Sequence, residues 1–212
     1  MPSWPCLISS QEARLQALHL VERRLPVTVP PARRSRSRQG RYHLSDPYFR
    51  FYFRFIAPHR DDLAYEPERA LPLIRKGLRA FVGETAFEEL CRQWIAEQGR
   101  AGGLCFEPQE VGSHWSRRVQ VDVVAVNWRE RAIMLGECKW GAKPVGRQVV
   151  RELLEEKSPR LLQDLPDAGE GWKVGHALFA RAGSAGVARS LAQAHDALLV
   201  DLDRLDRDLA GV

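Results

Sequence analysis

VQVDVVAVNWRERAIMLGECKW, residues 119–140, is the stretch that decides the fold of this chain. It contains two apolar runs, Val119–Trp128 and Ala132–Trp140, which are separated by a short polar connection. Runs of this length and composition are typical of strands, and a short connection favours antiparallel pairing. The stretch therefore predicts two adjacent antiparallel strands.

Three charged side chains interrupt these strands. Because side chains alternate along a strand, Glu137 and Lys139 share a face with Ile133 and Leu135. Asp122 falls on the same face if the loop between the strands contains two or four residues. An odd loop without a compensating bulge would separate Asp122 from the other two.

Two carboxylates beside a lysine are a recognisable arrangement for phosphodiester hydrolysis. Carboxylate oxygens hold Mg²⁺, which polarises a phosphoryl group and lowers the pKa of a bound water. Lys139 can orient the nucleophile or stabilise charge in the transition state. Glu88, on a preceding helix, can add a third carboxylate to Asp122 and Glu137. The alternative is a structural ion pair between Asp122 and Lys139 near the sheet edge.

Hydrophobic periodicity predicts alternating helices and strands around this hairpin. Helices are expected over 84–97, from Val149 to Leu162, where Pro159 kinks or splits the helix, and over 185–195. Further strands are expected over 104–111, 176–181 and 197–202. The order α-β-β-β-α-β, followed by α and β, predicts an α/β fold with a mixed sheet flanked by helices.

The N-terminal part is strongly basic. Residues 1–60 contain eleven arginines and three acids, so the net charge of +5 is concentrated there. Apolar residues from Leu15 to Leu25 predict a short helix that Pro26 stops. Residues 28–40 are expected to form an extended loop that can contact DNA or another polyanion, and the alternative is a solvated linker. Its arginines are Arg33, Arg34, Arg36, Arg38 and Arg41.

A second helix start is expected at Asp46-Pro47, because aspartate caps free amides and proline suits the first helical position. The residues that follow carry aromatic rings on every face, which predicts a helix buried between two packing surfaces. Base stacking by these rings is the alternative. A linking helix is expected over 70–82, and Gly83 opens the second half of the chain.

Several functional classes are disfavoured by the motifs that are missing. The four cysteines form no Cys-x-x-Cys pair and the six histidines no His-x-x-x-His, which argues against zinc and disulfides. The phosphate-binding loop of nucleotide hydrolases is also missing. No apolar run approaches the roughly 20 residues of a membrane span, and the first residues lack the features of a secretory signal. We expect a cytoplasmic protein without a membrane partner.

Five motifs follow one another along the chain: RYHLSDPYFRF at 41–51, Gly83 with Phe87-Glu88, Val121-Asp-Val-Val124, Gly136-Glu-Cys-Lys-Trp140 and Leu178-Phe179. In combination they resemble the C-terminal region of the archaeal-type DEXX-box ATPases. That region is a domain of unknown function related to the PD-(D/E)XK restriction-endonuclease-like fold. The resemblance covers nearly the whole chain from Leu15 onward.

The resemblance implies roles for the charged residues. Glu88 is the acid of the first helix, Asp122 and Glu137 are metal ligands, and Lys139 is the catalytic lysine. Members of that family carry an ATPase and a winged helix before this region, so an ATPase domain or subunit is an expected partner. Three segments are implied: a winged-helix remnant with the basic arm (1–45), aromatic connecting helices (46–82) and a nuclease-like domain (83–212).

Two functions of different classes follow from these observations. The first is a Mg²⁺-dependent nuclease that acts on DNA. The second is a catalytically silent module that binds DNA or regulates an ATPase, with the acids retained for structure.

Overall fold

A computed structural model describes residues 10–210 of the 212-residue chain. The chain forms two compact units. One unit runs up to Leu25 and continues over Ser37–Arg79, and the other comprises Pro26–Arg36 and the residues from Ala80 onward. No helix within residues 10–210 is both long and apolar enough to cross a membrane.

The first unit begins with helix α1 (Ser10–Ala17). Strand β1 (Val21–Arg24) follows and pairs antiparallel with β2 (Arg41–Leu44). The helix predicted up to Leu25 is therefore wrong beyond α1. His19 has a φ of 56°, which interrupts the helical path, and the pairing of β1 with β2 then overrides the helical spacing of the apolar residues.

Helices form the rest of this unit. The Asp46 side chain accepts a hydrogen bond of 2.7 Å from the backbone N–H of Tyr48 and caps α2 (Pro47–Phe51), as the Asp-Pro pair predicts. The helical path continues through a π-turn and a 3-10 turn to His59. Two further helices follow, α3 (Arg60–Tyr65) and α4 (Pro67–Val82), and α4 confirms the linking helix.

The aromatic helix is not buried on every face, so that expectation is wrong. Phe55 is buried, whereas the side chains of Tyr48 and Phe53 are exposed by 62% and 56%. Ring centroids of Tyr48 and Tyr52 lie 6.1 Å apart, and those of Phe51 and Phe55 lie 5.4 Å apart. Residues four apart share a helix face, so these rings pack against one another within the helix itself.

The second unit is built on a five-stranded sheet in the order β3-β4-β5-β6-β7. The strands are β3 (Glu110–Trp115), β4 (Gln120–Asn127), β5 (Ala132–Lys139), β6 (Lys173–Ala180) and β7 (Leu198–Asp201). The first three pair antiparallel, whereas β5, β6 and β7 pair parallel. The predicted mixed sheet of an α/β fold is confirmed.

Helices pack on both faces of this sheet. They are α5 (Glu88–Arg100), α6 (Arg147–Arg151), α7 (Ser158–Leu162), α8 (Gly186–Ala194) and α9 (Leu202–Ala210). On one face, Trp94 of α5 and Leu205 of α9 belong to a core with Phe179. On the other face, Leu161 of α7 packs with Leu135. The buried residues of β4 and β5 alternate between the two cores, as side-chain alternation in a strand requires.

Strand β3 lies later in the chain than predicted. The strand expected over 104–111 is observed at Glu110–Trp115. Leu104 and Phe106 are apolar because they pack on the core beside α5, not because they pair in the sheet. Pro108 has no amide hydrogen to donate, which disfavours a ladder at this point.

Between α6 and α7 the helix contains a π-turn, Glu152–Lys157. Pro159 follows within the next turn; it lacks an amide hydrogen, and its ring crowds the carbonyl four residues earlier. A wider turn before the proline relieves this conflict while the helical path continues to Leu162. The irregularity predicted at Pro159 therefore takes the form of a π-turn.

The segment Pro26–Arg36 is packed, which overturns the prediction of an extended loop for its part of the chain. Val27 and Val29 are buried, and the N–H of Val27 donates to the carbonyl of Ser113 at 3.0 Å. The Thr28 hydroxyl oxygen lies 2.6 Å from Nδ1 of the buried His114. Through these contacts the segment Pro26–Arg36 belongs to the second unit, although most of the first unit follows it in sequence.

His176 makes the stability of the second unit sensitive to pH. Its Nε2 lies 3.0 Å from the hydroxyl of buried Ser158, and burial, with a smaller contribution from the charge of His195, lowers its pKa to about 4. The pKa of His176 in the folded protein lies below its ordinary value of 6.5, so the unfolded chain takes up a proton here more readily than the folded protein. The contribution of neutral His176 to stability is therefore complete above pH 6.5 and is lost as the pH falls towards 4. Between pH 7 and 5, unfolding in urea should show that the stability advantage of the wild type over His176→Gln shrinks by up to about 2 kcal/mol. A difference that is independent of pH would show that His176 is protonated normally in the fold.

Candidate active site

The site lies where the pairing of β4 with β5 stops. The pairing runs from Asn127 opposite Ala132 to Val123 opposite Gly136. The loop between the strands thus contains four residues, which is one of the two lengths that the alternation argument requires. Asp122 and Glu137 are the next residues of the two strands beyond this last pair.

A bulge in β4 places Asp122. Gly112 pairs with Val124 and His114 with Val121, so Asp122 and Val123 together face the single residue Ser113. Oδ2 of Asp122 accepts a hydrogen bond of 3.0 Å from the backbone N–H of Cys138. The carboxylate takes the place of the backbone acceptor that a continued ladder would have supplied.

Glu137 is a buried carboxylate held by two lysines. Its residue surface is 4% exposed. Nζ of Lys139 donates to Oε1 at 2.6 Å, and Nζ of Lys157 donates to Oε2 at 2.6 Å. Both oxygens therefore have a cationic partner, which offsets the large cost of removing a carboxylate from water. Lys139 was expected at this place, whereas Lys157 was not.

Lys157 is contributed by the π-turn on the helix that crosses the sheet. Leu153 and Leu161, four residues before and after it, are buried in the core beneath this helix. Residues at this spacing share a helix face, so Lys157 occupies a position where the pattern of the helix favours an apolar side chain. A lysine within an apolar helix face is the sequence signal that could have revealed it.

Trp140 anchors the end of β5 beside these groups. Its ring lies 5.0 Å from the ring of Phe87 between centroids, and the guanidinium of Arg181 lies 4.8 Å from its centroid. A Cβ atom at Gly83 would meet the Trp140 side chain at 2.7 Å. Glycine at this position therefore allows the close approach that keeps the strand end in place.

Glu88 is half-buried at the start of α5 and is partnered by Arg92. The guanidinium of Arg92 lies 3.5 Å from Oε2 of Glu88, and it also donates to Glu89 and to the carbonyl of Asp122. Burial, followed by the neighbouring charge of Asp122, raises the pKa of Glu88 to about 7. Glu88 therefore borders the pair Asp122–Glu137 and interacts with it electrostatically.

Electrostatic repulsion between carboxylates distinguishes this strand end from an ordinary ion pair. Burial, followed by the charge of Glu137, raises the pKa of Asp122. Burial disfavours the charge on Lys139, but the hydrogen bond and charge of Glu137 and the charge of Asp122 outweigh it and raise its pKa. The alternative of a structural pair between Asp122 and Lys139 does not describe the contact, because Lys139 bonds to Glu137.

The donor set suits a hard cation that needs few protein ligands. In residues 10–210, no three His, Cys, Asp or Glu side chains are close enough to hold a metal ion, so Glu88 does not complete a three-carboxylate cluster. Mg²⁺ keeps several waters and is commonly bound by one or two carboxylates plus substrate phosphates. Asp122 and Glu137 could supply such a pair, and a cation would offset both the burial and the charge of Glu137 that raise the pKa of Asp122.

The five arginines expected in one exposed arm have different environments. Arg34 donates to the carbonyl of Val29 at 3.1 Å and pairs with Glu110, so it contributes to the packing of the second unit. Arg33 and Arg36 lie on the same 3-10 helix and are exposed. Arg38 and Arg41 are exposed in the first unit. Residues 33–41 are thus divided between the two units.

A protein family described as DUF234, Archaea bacterial proteins of unknown function, matches residues 52–157, half of the chain. The chain belongs to this family. The part matched to DUF234 contains every side chain of the strand-end site, namely Glu88, Asp122, Glu137, Lys139 and Lys157. The arginine-rich residues lie outside it.

An uncharacterized protein of Methanocaldococcus jannaschii is similar to this DUF234 chain. The two are 26% identical over 123 residues, which make up 58% of this chain and 27% of that protein. The chain spans about a quarter of the length of the curated relative that it matches. No solved structure matches the chain.

Replacement of Arg34 should lower the stability of the protein more than replacement of Arg33 or Arg36. Arg34→Ala removes a half-buried charged pair and a hydrogen bond to a backbone carbonyl, so urea unfolding should show a loss of about 1–2 kcal/mol. Arg33→Ala and Arg36→Ala, on the same 3-10 helix, should each change the unfolding free energy by less than about 0.5 kcal/mol. Equal losses in all three variants would contradict the assignment of Arg34 to the fold.

Proposed function

We propose that this DUF234 protein is a Mg²⁺-dependent phosphodiesterase that acts on DNA. The observation that carries the proposal is the meeting of Asp122, the buried Glu137 and Lys139 at the end of β4 and β5. Carboxylates and a lysine at one strand end provide both the cation-binding oxygens and the phosphate-directed charge that hydrolysis of a phosphodiester needs.

The residues have distinct tasks in this proposal. A Mg²⁺ ion held by Asp122 and Glu137 would polarise the scissile phosphate and lower the pKa of an attacking water. The bulge and the hydrogen bond from the Cys138 amide fix the Asp122 carboxylate before any substrate arrives. Lys139 is about one-third exposed, so its ammonium can turn from Glu137 towards a phosphate oxygen. Its raised pKa keeps it charged at neutral pH.

Two further features support this assignment. The order α5, β3, β4, β5, α6–α7 and β6 is the α-β-β-β-α-β arrangement that the resemblance to restriction-endonuclease-like domains implies. The same resemblance names an ATPase as the expected partner, and the Methanocaldococcus jannaschii protein is long enough to contain additional domains. We therefore propose that the site acts within or beside an ATPase.

A silent DNA-binding or regulatory module is the competing function, and one observation favours it. Both oxygens of Glu137 are bonded to lysines, which is also how a buried structural carboxylate would be neutralised. Under this alternative the strand-end charges hold the fold, and an exposed surface such as that of Arg33 and Arg36 contacts the nucleic acid.

Plasmid cleavage separates the two functions. The full chain should nick or linearise supercoiled DNA with Mg²⁺ and not with EDTA. Asp122→Asn and Lys139→Ala should each lower the rate about 100-fold or more, because the first removes a carboxylate that would hold the cation and the second removes the ammonium that acts on the phosphate. Asp206→Asn, on the exposed face of α9, is the matched control and should cleave like the wild type. DNA binding without Mg²⁺-dependent cleavage would support the silent module and refute the phosphodiesterase.

The salt dependence of binding tests the contribution of the exposed arginines. Each phosphate neutralised on duplex DNA contributes about −0.9 to the slope of log affinity against log salt. Replacing Arg33 and Arg36 by alanine should therefore flatten this slope by up to about two units, measured by fluorescence anisotropy. The matched double variant replaces Arg129 and Arg207, which are also exposed. If both double variants leave the slope unchanged, Arg33 and Arg36 make no contact with the DNA backbone.

A further inference from the structure

Glu137 has one more cationic partner than its charge requires. One lysine is enough to neutralise one carboxylate, yet Lys139 and Lys157 each lie 2.6 Å from a different oxygen of Glu137. Each oxygen has a second lone pair that can bind a cation, but that cation would lie close to the ammonium already bonded to the same oxygen, so binding is favoured when one lysine moves away. We therefore expect the two lysines to have different tasks in a site that binds Mg²⁺.

The surroundings of the two ammonium groups show which one can leave. The Lys139 side chain is 35% exposed, at the open end of β5, whereas the Lys157 side chain is 18% exposed. Lys157 also has the Glu152 carboxylate at 3.9 Å, which provides a second interaction that holds its ammonium near the sheet. Lys139 can reach water or a phosphate by rotating about its side-chain bonds, and Lys157 has less freedom to do so.

The backbone around Lys157 is also held firmly. Leu153 and Leu161 are buried on either side of it along the helix, and Ser158, the next residue, is buried and hydrogen-bonded to His176 of β6. The π-turn ends at Lys157 itself. Because a pair of apolar side chains could stabilise this helix–sheet contact as well as a lysine–carboxylate pair, stability alone does not explain a lysine here.

We propose that Lys157 is a positioning residue of the site, which holds Oε2 of Glu137 so that Oε1 faces a divalent cation while Lys139 turns to the phosphate. The proposal rests on the proposed function. It assigns Lys139 to the substrate and Lys157 to the carboxylate. Groups that orient metal ligands in this way typically change metal affinity or activity by about 10–100-fold when they are replaced.

The test measures metal binding without DNA and DNA cleavage in the same variants of the full chain. Lys157→Met keeps an unbranched side chain within the apolar helix face, and Lys157→Arg keeps the charge. Lys173→Met is the control, because Lys173 is exposed at the opposite end of β6 from the site. Mn²⁺ binding is followed by titration calorimetry and cleavage by steady-state plasmid nicking, with urea unfolding as a measure of folding.

Lys157→Met should weaken Mn²⁺ binding about 10-fold and lower kcat by about 10–100-fold, while the KM for DNA changes little. Lys157→Arg should recover most of the Mn²⁺ affinity, and Lys173→Met should match the wild type. If Lys157→Met does not fold, the test depends on Lys157→Arg, which should bind Mn²⁺ with most of the wild-type affinity. A Lys157→Arg variant that folds but loses Mn²⁺ affinity overturns the proposal.

Three other outcomes are distinguishable. Unchanged Mn²⁺ binding and cleavage in Lys157→Met, in a wild type that Asp122→Asn inactivates, would overturn the positioning role and leave the phosphodiesterase intact. Loss of cleavage with unchanged Mn²⁺ binding would also overturn it and would show that Lys157 contacts the substrate. A wild type that neither binds Mn²⁺ nor cleaves DNA would overturn the proposed function and this inference together.

Discussion

The buried carboxylate of Glu137 is the constraint on which the second unit depends. A carboxylate that is only 4% exposed is tolerated because two ammonium groups reach it, one from its own strand and one from the helix that crosses to β6. This charge contact lies directly beside apolar packing, since Leu135 precedes Glu137 on one face of β5 and packs with Leu153 and Leu161 of that helix. The helix must therefore place a lysine and two leucines on one side, and the π-turn before Pro159 is part of how it does so.

The opening between β4 and β5 supplies the second condition for the site. If the ladder continued past Val123 and Gly136, the Cys138 amide would bond to a backbone carbonyl and Asp122 would be an ordinary strand residue. The bulge opposite Ser113 releases Asp122 from regular pairing, and its carboxylate then accepts the Cys138 amide hydrogen. Trp140, packed against Phe87 and Gly83, keeps the end of β5 beside α5. Burial, followed by the nearby charge of Glu137, consequently raises the pKa of Asp122.

The features that were predictable from sequence are those encoded by neighbours along the chain. Strands β4 and β5 follow from their apolar runs, and the shared face of Glu137 and Lys139 follows from side-chain alternation. The length of the loop between the strands was left open as two or four residues, and the observed pairing gives four. The bulge and the packing of Val27 were not predictable in this way, because each depends on residues distant in sequence. The apolar helix face around Lys157 indicates a partly buried lysine, but its contact with Glu137 joins residues that are distant in sequence. Helical spacing was misleading in the segment that forms β1, where pairing with β2 prevailed. Helix α9 was missed although its leucines follow helical spacing, because it directly follows the short strand β7.

The charges at the strand end also indicate which kind of ligand would complete the site. Asp122 and Glu137 balance Lys139 and Lys157, so these four groups are neutral together when all are ionised. A divalent cation would add two positive charges within a half-buried region where screening by water is weak. The pKa of about 7 allows Glu88 to ionise next to a cation and to offset one of these charges. In the proposed function, Lys139 would meet a phosphodiester anion on turning away from Glu137, and the charge of that anion would offset part of the remaining positive charge. In the proposed function, the cation and the phosphodiester anion would enter this half-buried site together, so that the charge of each offsets that of the other.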